Sequence, residues 1–267
     1  MKKIDLVIID PQYDFCNPSG ALYVKGAEKD MERLATLINR IYPKLDNIHV
    51  TLDCHHLMDL AHPDFWVDSV GQNPAPFTVI TSADIKNGKY RPSVPSADIL
   101  KRMIRYVESL EKSGRYPFVI WPPHCLIGTE GATVVPEVMK ALNRWAKGQA
   151  KIDFITKGSN IFTEHYSAVR AEVPDPQDPG TMINTCFIES LMNCDEIAIA
   201  GETGSHCLKN TVEDIVSEFK DDAFIKKFVL LEGCFSPVPT FEKLQDDFVK
   251  AMMRRGMRMC RAKDYLG

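Results

Sequence analysis

The sequence predicts an α/β fold in which a doubly wound parallel sheet carries helices on both faces. Short continuous runs of Val, Ile, Leu and Phe recur along the chain, as expected for strands that are buried on both faces of a parallel sheet. Segments with amphipathic helical spacing alternate with these runs, and such alternation implies right-handed crossovers onto a single sheet. A chain of 267 residues is long enough to bury one large core of this kind.

Each apolar run is predicted to be a strand, and each amphipathic segment is predicted to be a helix. The predicted strands are residues 5–9, 49–52, 118–121, 154–156, 196–200 and 228–231. The predicted helices are residues 28–41, 97–113, 135–146, 184–194, 208–220 and 241–255. We expect residues 1–267 to form a single domain, with an irregular insertion at about residues 67–117 whose first part is rich in Pro, Gly and Asn.

Composition and charge narrow the classes of function. The chain is 45% hydrophobic and 25% charged, with a formal net charge of -4, which argues against nucleic acid as a partner. The apolar run after the N-terminal lysines is too short for a signal peptide, and no segment reaches membrane-spanning length. The eight cysteines are scattered without a CxxC pair, so we expect reduced thiols, a cytoplasmic location and no membrane partner. The basic positions near the C-terminus are expected to form a solvated helix face: Arg254, Arg255, Arg258, Arg261 and Lys263.

Side chains that can act as nucleophiles, bases or metal ligands cluster directly after the predicted strands. Parallel-sheet enzymes bind ligands at the carboxyl ends of their strands, so these positions define one candidate site. The residues that follow the first five strands are Asp10, Asp14 and Phe15; Asp53, His55, His56 and His62; His124 and Cys125; Lys157; and Cys207. Their convergence depends on the strand assignments and is the main fold-level argument for an enzyme.

The histidines after the second and third strands suggest a metal site. Asp53 and His55 share one face of an extended chain, and two prolines that stop the next strand hold His124 in place. A carboxylate with neutral imidazoles is a normal ligand set for zinc, iron or manganese. His62 is a candidate fourth ligand, whereas His56 is expected to point away. The alternative is a set of polar loop residues.

Cys207 is the candidate nucleophile because it stands at the start of an amphipathic helix, where the helix N-terminus favours a thiolate. Asp10 could take the thiol proton, and Lys157 could hold Asp10 and support the thiolate. Backbone N–H groups of the glycine-containing turn at residues 201–206 could form an oxyanion hole. The alternative is a buried structural cysteine beside a turn aspartate and a surface lysine.

Five motifs in order make the chain resemble the isochorismatase-like cysteine hydrolases, and within them the nicotinamidase and pyrazinamidase branch. The motifs are IIDPQYDFC, TLDCH, WPPHCLIGTEGA, ITKG followed by HYSAV, and AGETGSHCLKNTVEDI. The motifs are spread over the chain, except for residues 67–117 and the C-terminal tail. The resemblance is therefore specific at the level of the family.

The resemblance implies a six-stranded parallel sheet and hydrolysis of nicotinamide to nicotinate and ammonia through a thioester, in pyridine nucleotide salvage for NAD metabolism. It also implies one divalent metal ion that holds the pyridine nitrogen, with zinc expected and iron or manganese as alternatives. The implied site residues are the catalytic triad Asp10, Lys157 and Cys207; the metal ligands Asp53, His55 and His124, with His62 as the candidate fourth; the oxyanion-hole N–H groups of Thr203 and Cys207, with a cis bond between Glu202 and Thr203; and the pocket residues Phe15, Trp121 and Tyr166. We expect a small-molecule amide as the partner and a homo-oligomer as the assembly.

Two features depart from the family pattern and leave the substrate open. Glu202 stands where the family usually has a small or apolar residue, and the connection between the TLDCH and WPPHC motifs is far longer than in compact members. The alternatives are hydrolysis of another small amide or carbamoyl compound, a non-catalytic ligand-binding member, and a thiol redox protein. The filled triad argues against the second alternative, and the lack of a nearby resolving cysteine argues against the third.

Overall fold

A six-stranded sheet, in which all neighbouring strands pair in parallel, forms the centre of the molecule. The computed structural model describes residues 2–148, 150–219 and 222–267. From one edge to the other the strands are β5 (Asp153–Lys157), β2 (Asn47–Asp53), β1 (Ile4–Ile9), β6 (Glu196–Gly201), β7 (Phe228–Glu232) and β8 (Arg258–Arg261). The predicted fold class, a doubly wound six-stranded parallel sheet, is therefore confirmed.

The helices cover both faces of this sheet. They are α1 (Tyr13–Cys16), α2 (Ala27–Ile41), α3 (Ser82–Lys86), α4 (Ala97–Ser113), α5 (Pro136–Ala146), α6 (Thr185–Met192), α7 (Cys207–Phe219), α8 (Asp222–Ile225) and α9 (Glu242–Arg255). The chain winds outward from β1 through β2 to β5, and then in the other direction from β6 through β7 to β8. Right-handed crossovers therefore place α2 and α5, which pack together, on one face, and α7 and α9 on the other.

Most predicted elements are confirmed. All six predicted helices exist with ends shifted by at most about two residues, the usual uncertainty of helix ends. Lys220, the last residue of the fifth predicted helix, lies outside the described residues. Five predicted strands correspond to β1, β2, β5, β6 and β7.

The predicted strand at residues 118–121 is wrong as a member of the central sheet. The segment instead pairs irregularly with residues 77–80: the Ile80 N–H donates to the Phe118 carbonyl at 3.0 Å, and the Ile120 N–H donates to the Thr78 carbonyl at 2.9 Å. Prolines on both sides of the segment remove donors that a regular ladder would need.

The sixth strand of the sheet is β8, which was predicted to belong to a solvated helix face. That prediction holds for Arg254 and Arg255 at the end of α9, but Arg258 and Arg261 lie in β8 and Lys263 lies in the turn that follows it. β8 is an edge strand paired with β7, and its side chains are exposed or half-buried. Because one side of an edge strand faces solvent, no apolar run marks it in the sequence.

Residues 67–117 are more regular than predicted. β3 (Trp66–Asp68) and β4 (Tyr90–Pro92) form an antiparallel pair, and α3 packs against α4. An apolar cluster separate from the main core holds these elements together: Leu60, Phe65, Trp66, Ile80, Ile85, Met103, Tyr106, Val107, Leu110, Phe118 and Ile120.

Two findings concern the cysteines and the helices. All eight cysteines are free thiols. Within residues 2–148, 150–219 and 222–267, no helix combines the length and the apolar character needed to cross a membrane.

Candidate active site

The carboxyl ends of four adjacent strands bring the predicted catalytic residues together. Asp10 directly follows β1, and Cys207 opens α7 a few residues after β6. Asp53 and Lys157 end β2 and β5, and the register places them side by side. Because β1 and β6 are also neighbours, all four side chains reach the same point of the sheet edge.

The Lys157 ammonium group contacts the side chains of Asp10, Asp53 and Cys207. Its Nζ lies 2.9 Å from Asp10 Oδ2, 3.1 Å from Asp53 Oδ1 and 3.7 Å from Cys207 Sγ. Thr51 orients Asp10, since its hydroxyl donates to Asp10 Oδ1 and accepts from the Asp10 N–H at 3.0 Å. All of these side chains are buried, so the ion pairs act with little screening by water.

The protonation states follow from this packing. Burial alone would lower the pKa of Lys157, but the Asp10 and Asp53 carboxylates raise it well above the usual value, so the lysine stays charged. Burial raises the pKa of Asp10 by more than Lys157 lowers it.

The thiol of Cys207 departs from the expected thiolate. Burial raises the pKa of Cys207 well above the usual value, the Lys157 cation lowers it by less than burial raises it, and the Asp10 and Asp53 carboxylates raise it further. The resting group is therefore a thiol, and the helix N-terminus does not overcome burial beside two carboxylates. A reaction through sulfur needs a base, and Asp10 is the adjacent carboxylate.

Asp53, His55 and His124 offer ligand atoms that all lie within 4.8 Å of one another. His55 Nε2 is 3.1 Å and His124 Nε2 is 3.6 Å from Asp53 Oδ2. Gly158 makes room for this carboxylate, because it has φ +86° and a Cβ there would lie 2.7 Å from Asp53 Oδ1. One carboxylate and two imidazoles suit zinc and similar divalent metals.

The far ring nitrogens of both histidines are already paired. His55 Nδ1 lies 3.0 Å from Asp59 Oδ2, and His124 Nδ1 lies 2.8 Å from the Pro122 carbonyl. Such outer partners fix the imidazole tautomer and leave Nε2 free for a metal. The donor set and its supports therefore fit a metal ion.

His62 lies beside this cluster rather than in it. Its Nε2 approaches His124 Nδ1 at 3.4 Å, and its Nδ1 lies 3.1 Å from the His56 carbonyl. Burial and the neighbouring imidazoles lower its pKa to about 4, so His62 is neutral. The His56 side chain is exposed, as expected for a residue that points away from the cluster.

A cavity opens beside Cys207, and the three predicted pocket residues Phe15, Trp121 and Tyr166 line it. The complete lining is Phe15, Leu22, Asp53, Trp121, His124, Glu164, Tyr166, Thr203, His206, Cys207 and Val238. The free space between these side chains is about 20 Å³, roughly enough for one water molecule. An aromatic ligand therefore requires the walls to move apart.

Sequence reasoning missed Glu164 and His206 in this lining. Burial raises the pKa of Glu164 to about 8, and the Trp121 indole N–H donates to its carboxyl at 3.1 Å and to the Tyr166 hydroxyl at 3.0 Å. Burial and the Lys209 cation lower the pKa of His206 to about 3. The available signals were local: Glu164 stands two positions before Tyr166, and His206 directly precedes Cys207.

The turn before Cys207 has the predicted cis bond between Glu202 and Thr203. Within the part of the chain that the structure describes, the backbone N–H groups of Thr203 and Cys207 have no acceptor. Thr203 and Cys207 both line the cavity, so two backbone donors are available at its wall.

Comparison with known proteins gives matches among solved structures only. No family model matches the sequence, and no curated protein matches it. A yeast nicotinamidase bound to the inhibitor nicotinaldehyde is 17% identical, with a TM-score of 0.65 over 97% of this chain and 99% of that chain.

Two further structures match over a similar span. A nicotinamidase/pyrazinamidase from Acinetobacter baumanii is 18% identical, with a TM-score of 0.64 over 100% of this chain and 99% of that chain. A pyrazinamidase from Pyrococcus horikoshii in complex with zinc is 17% identical, with a TM-score of 0.55 over 97% of this chain and 99% of that chain. The chain therefore has the fold of the solved nicotinamidases and pyrazinamidases.

Proposed function

We propose that this chain is a metal-assisted cysteine amidohydrolase that converts nicotinamide and water to nicotinate and ammonia. One observation carries the proposal: a single small cavity brings a buried thiol, its carboxylate and lysine partners and a three-residue metal cluster together. The fold that the chain shares with solved nicotinamidases supports this choice of substrate.

Asp53, His55 and His124 would hold the metal. Zinc is the expected ion, with iron or manganese as alternatives, and when bound it supplies a Lewis acid for the pyridine nitrogen of the substrate. Asp59 and the Pro122 carbonyl hold the two imidazoles in the tautomer that this role needs.

The covalent steps fall to the residues around Cys207. Asp10 accepts the thiol proton, Sγ forms a bond to the carboxamide carbon, and the N–H groups of Thr203 and Cys207 receive the oxyanion. Collapse of this intermediate breaks the C–N bond while Asp10 returns the proton to the departing ammonia. Water then attacks the thioester with Asp10 as base, nicotinate leaves, and the proton returns to Cys207. Lys157 stays charged throughout and holds Asp10 against Cys207.

The cavity walls suit a small planar ring. Phe15, Trp121 and Tyr166 are aromatic, and their side chains can contact both faces and the edge of a pyridine once the cavity widens. Glu164 keeps a proton at neutral pH because its pKa is about 8, so its carboxyl can donate a hydrogen bond to the bound ligand.

The test is ammonia release from nicotinamide by protein loaded with zinc, iron or manganese in parallel. We expect turnover by at least one metal-loaded form, loss after chelation and recovery on adding the metal back. If the fully metal-loaded protein releases no ammonia from nicotinamide, the substrate assignment is wrong. If Cys207→Ala still releases it at the wild-type rate, the nucleophile assignment is wrong.

The small free volume favours one second candidate, hydrolysis of a smaller amide or carbamoyl compound in the same site. A panel from acetamide and N-carbamoyl compounds to nicotinamide and pyrazinamide, compared by kcat/KM, separates the two. A maximum at the aliphatic end of the panel would replace nicotinamide as the substrate.

We also propose that residues 1–267 form one domain with residues 67–117 as an insertion beside the site. The Phe77 ring of this segment contacts the Trp121 ring edge-to-face at 5.9 Å. Limited proteolysis that yields one protected fragment would support a single domain. The expected homo-oligomer is a separate prediction, which light scattering on the purified chain tests.

A further inference from the structure

Glu202 is a fully buried acidic residue directly before Thr203 of the cavity wall. One carboxyl oxygen, Oε2, accepts a hydrogen bond from the Ser236 N–H at 3.0 Å. The other oxygen, Oε1, is buried and has no hydrogen-bond partner as an acceptor among the described residues. A buried carboxyl with an unsatisfied oxygen is costly unless it carries a proton and donates it.

Asp30 of α2 is the group that can receive that proton. It is 2% exposed, and its charge is close enough to raise the pKa of the Glu202 carboxyl. Ser236 bridges the two acids, since its N–H donates to Glu202 and its hydroxyl donates to Asp30 Oδ2 at 2.5 Å. The cation facing the pair is Arg33, whose half-exposed side chain lies 2.5 Å from Asp30 Oδ1.

Electrostatics assign the proton to Glu202. Burial, followed by the Asp30 charge, raises the pKa of Glu202 well above the usual value, and Arg33 offsets this only in part. The other titratable groups that face Glu202 are the thiols of Cys16 and Cys234. Burial raises the pKa of Cys234 to about 12 and that of Cys16 well above the usual thiol value, so both stay neutral.

Glu202 and Asp30 lie where the loop at residues 234–238 is hydrogen-bonded to the turn that precedes Cys207. The Gly201 N–H donates to the Cys234 carbonyl at 2.8 Å, and the Gly204 N–H donates to the Ser236 carbonyl at 2.9 Å. The Val238 N–H donates to the Ser205 hydroxyl at 3.0 Å. These bonds join residues 201–205 to residues 234–238. Because Thr203 and Val238 both line the cavity, movement of these two segments would change the cavity wall.

We propose that Glu202 is a positioning residue that shares one proton with Asp30, and that this shared proton locks the turn 201–205 and the loop 234–238 onto α2. The lock keeps the Thr203 N–H at the cavity wall, where the proposed amidohydrolase needs an oxyanion donor. The inference therefore rests on the proposed function for its catalytic consequence, but not for the shared proton itself. Loss of that proton at alkaline pH leaves two carboxylates close together, and their repulsion moves the turn 201–205 and the loop 234–238 away from α2.

The kinetic test compares Glu202→Gln, which keeps a neutral donor, with Glu202→Ala, which removes it. We expect Glu202→Gln to keep kcat within about 2-fold of wild type at neutral pH, whereas Glu202→Ala loses about 10- to 100-fold in kcat with a smaller change in KM. The ratio of Glu202→Gln to wild-type kcat should rise with pH, because only the wild type loses its proton. A ratio that is flat with pH, or a Glu202→Gln variant as slow as Glu202→Ala, would overturn the proposal.

A second measurement works without any activity. Infrared difference spectra between wild type and Glu202→Gln at neutral pH should show the carbonyl band of a protonated carboxylic acid, and Asp30→Asn should shift that band. Glu232→Gln, which changes an exposed carboxylate nearby, is the matched control and should show none. Absence of the band in wild type overturns the shared proton, whereas a clear band in a protein without amidase activity would count against the proposed function alone.

Discussion

The two ends of the parallel strands both bury charged side chains, yet they do different things. At the amino end, His49 of β2 lies between two aspartates, with Nδ1 2.9 Å from Asp153 and Nε2 3.7 Å from Asp5. At the carboxyl end of the same strand, His55 follows β2 and lies between Asp53 at 3.1 Å and Asp59 at 3.0 Å.

The difference between these ends lies in what the charges face. Asp5, His49 and Asp153 belong to β1, β2 and β5, so their ion pairs tie neighbouring strands together. The groups at the carboxyl end instead surround a cavity that contains a thiol. Buried ionisable groups alone therefore do not identify a functional site. Their convergence on a cavity with a nucleophile does.

The strongest test of this contrast compares a thiol from each end. Cys207→Ala should lower kcat/KM by at least about 10⁴-fold, since covalent catalysis has no substitute nucleophile. Cys194, a buried thiol just before β6 that donates to the Leu191 carbonyl at 3.0 Å, is the matched control. We expect Cys194→Ala to leave kcat/KM within about 2-fold, because Cys194 lies at the opposite end of β6 from the cavity and distant, independent sites couple weakly. Equal losses in both variants would contradict the contrast.

The aspartates at the two ends of β1, Asp5 within the strand and Asp10 directly after it, provide the next comparison. Asp10→Asn should lower kcat by about 10³-fold, the usual range for removal of a general base. In the wild type, activity should fall as pH drops through the raised pKa of Asp10, because the protonated acid cannot accept the thiol proton. Asp5→Asn should alter the free energy of unfolding and leave the pH profile of kcat/KM in place. A similar pH profile for Asp10→Asn and wild type would remove Asp10 from the role of base.

The two aspartates that pair with a histidine Nδ1 give a smaller effect. Asp59→Asn should weaken metal binding about 10- to 100-fold, since it supports His55 behind the proposed ligand set. Asp153→Asn changes the equivalent partner of His49 and should leave the metal affinity unchanged. Metal titration of the two purified variants measures both effects, and equal affinities would argue against Asp59 as a support of the metal site.

The smallest effect concerns stability at the amino end. Burial alone would lower the pKa of His49, but its interactions with the Asp5 and Asp153 carboxylates raise it above the usual value of 6.5. A raised folded-state pKa means that the charged histidine stabilises the fold fully below the unfolded pKa and loses this contribution as pH rises through the folded pKa. His49→Gln should therefore be less stable than wild type by about 1 kcal/mol in mild acid.

That stability difference should shrink above the folded-state pKa of His49, and urea unfolding at several pH values measures it. A gap that widens with pH would mean that His49 is held neutral. Activity of His49→Gln at neutral pH should equal that of wild type, because the side chain does not line the cavity.

The sequence alone determined the alternation of strands and helices and the identity of the strand-end residues. Both follow from local information, since apolar runs and helical spacing involve residues close in the chain, and parallel strands place their carboxyl ends at one edge. Asp10, Asp53, Lys157 and Cys207 could therefore be selected before any coordinates.

Only the tertiary structure decided which groups surround these residues and which of them carry a charge. The thiol of Cys207, the carboxyl pair of Glu202 and Asp30, and the place of Glu164 in the cavity each depend on groups far apart in the chain. The same holds for β8, which is a strand only because β7 offers it a partner. Burial and neighbouring charges set the pKa of a side chain, and an edge strand such as β8 forms only beside another strand. Neither property is encoded in a local stretch of sequence.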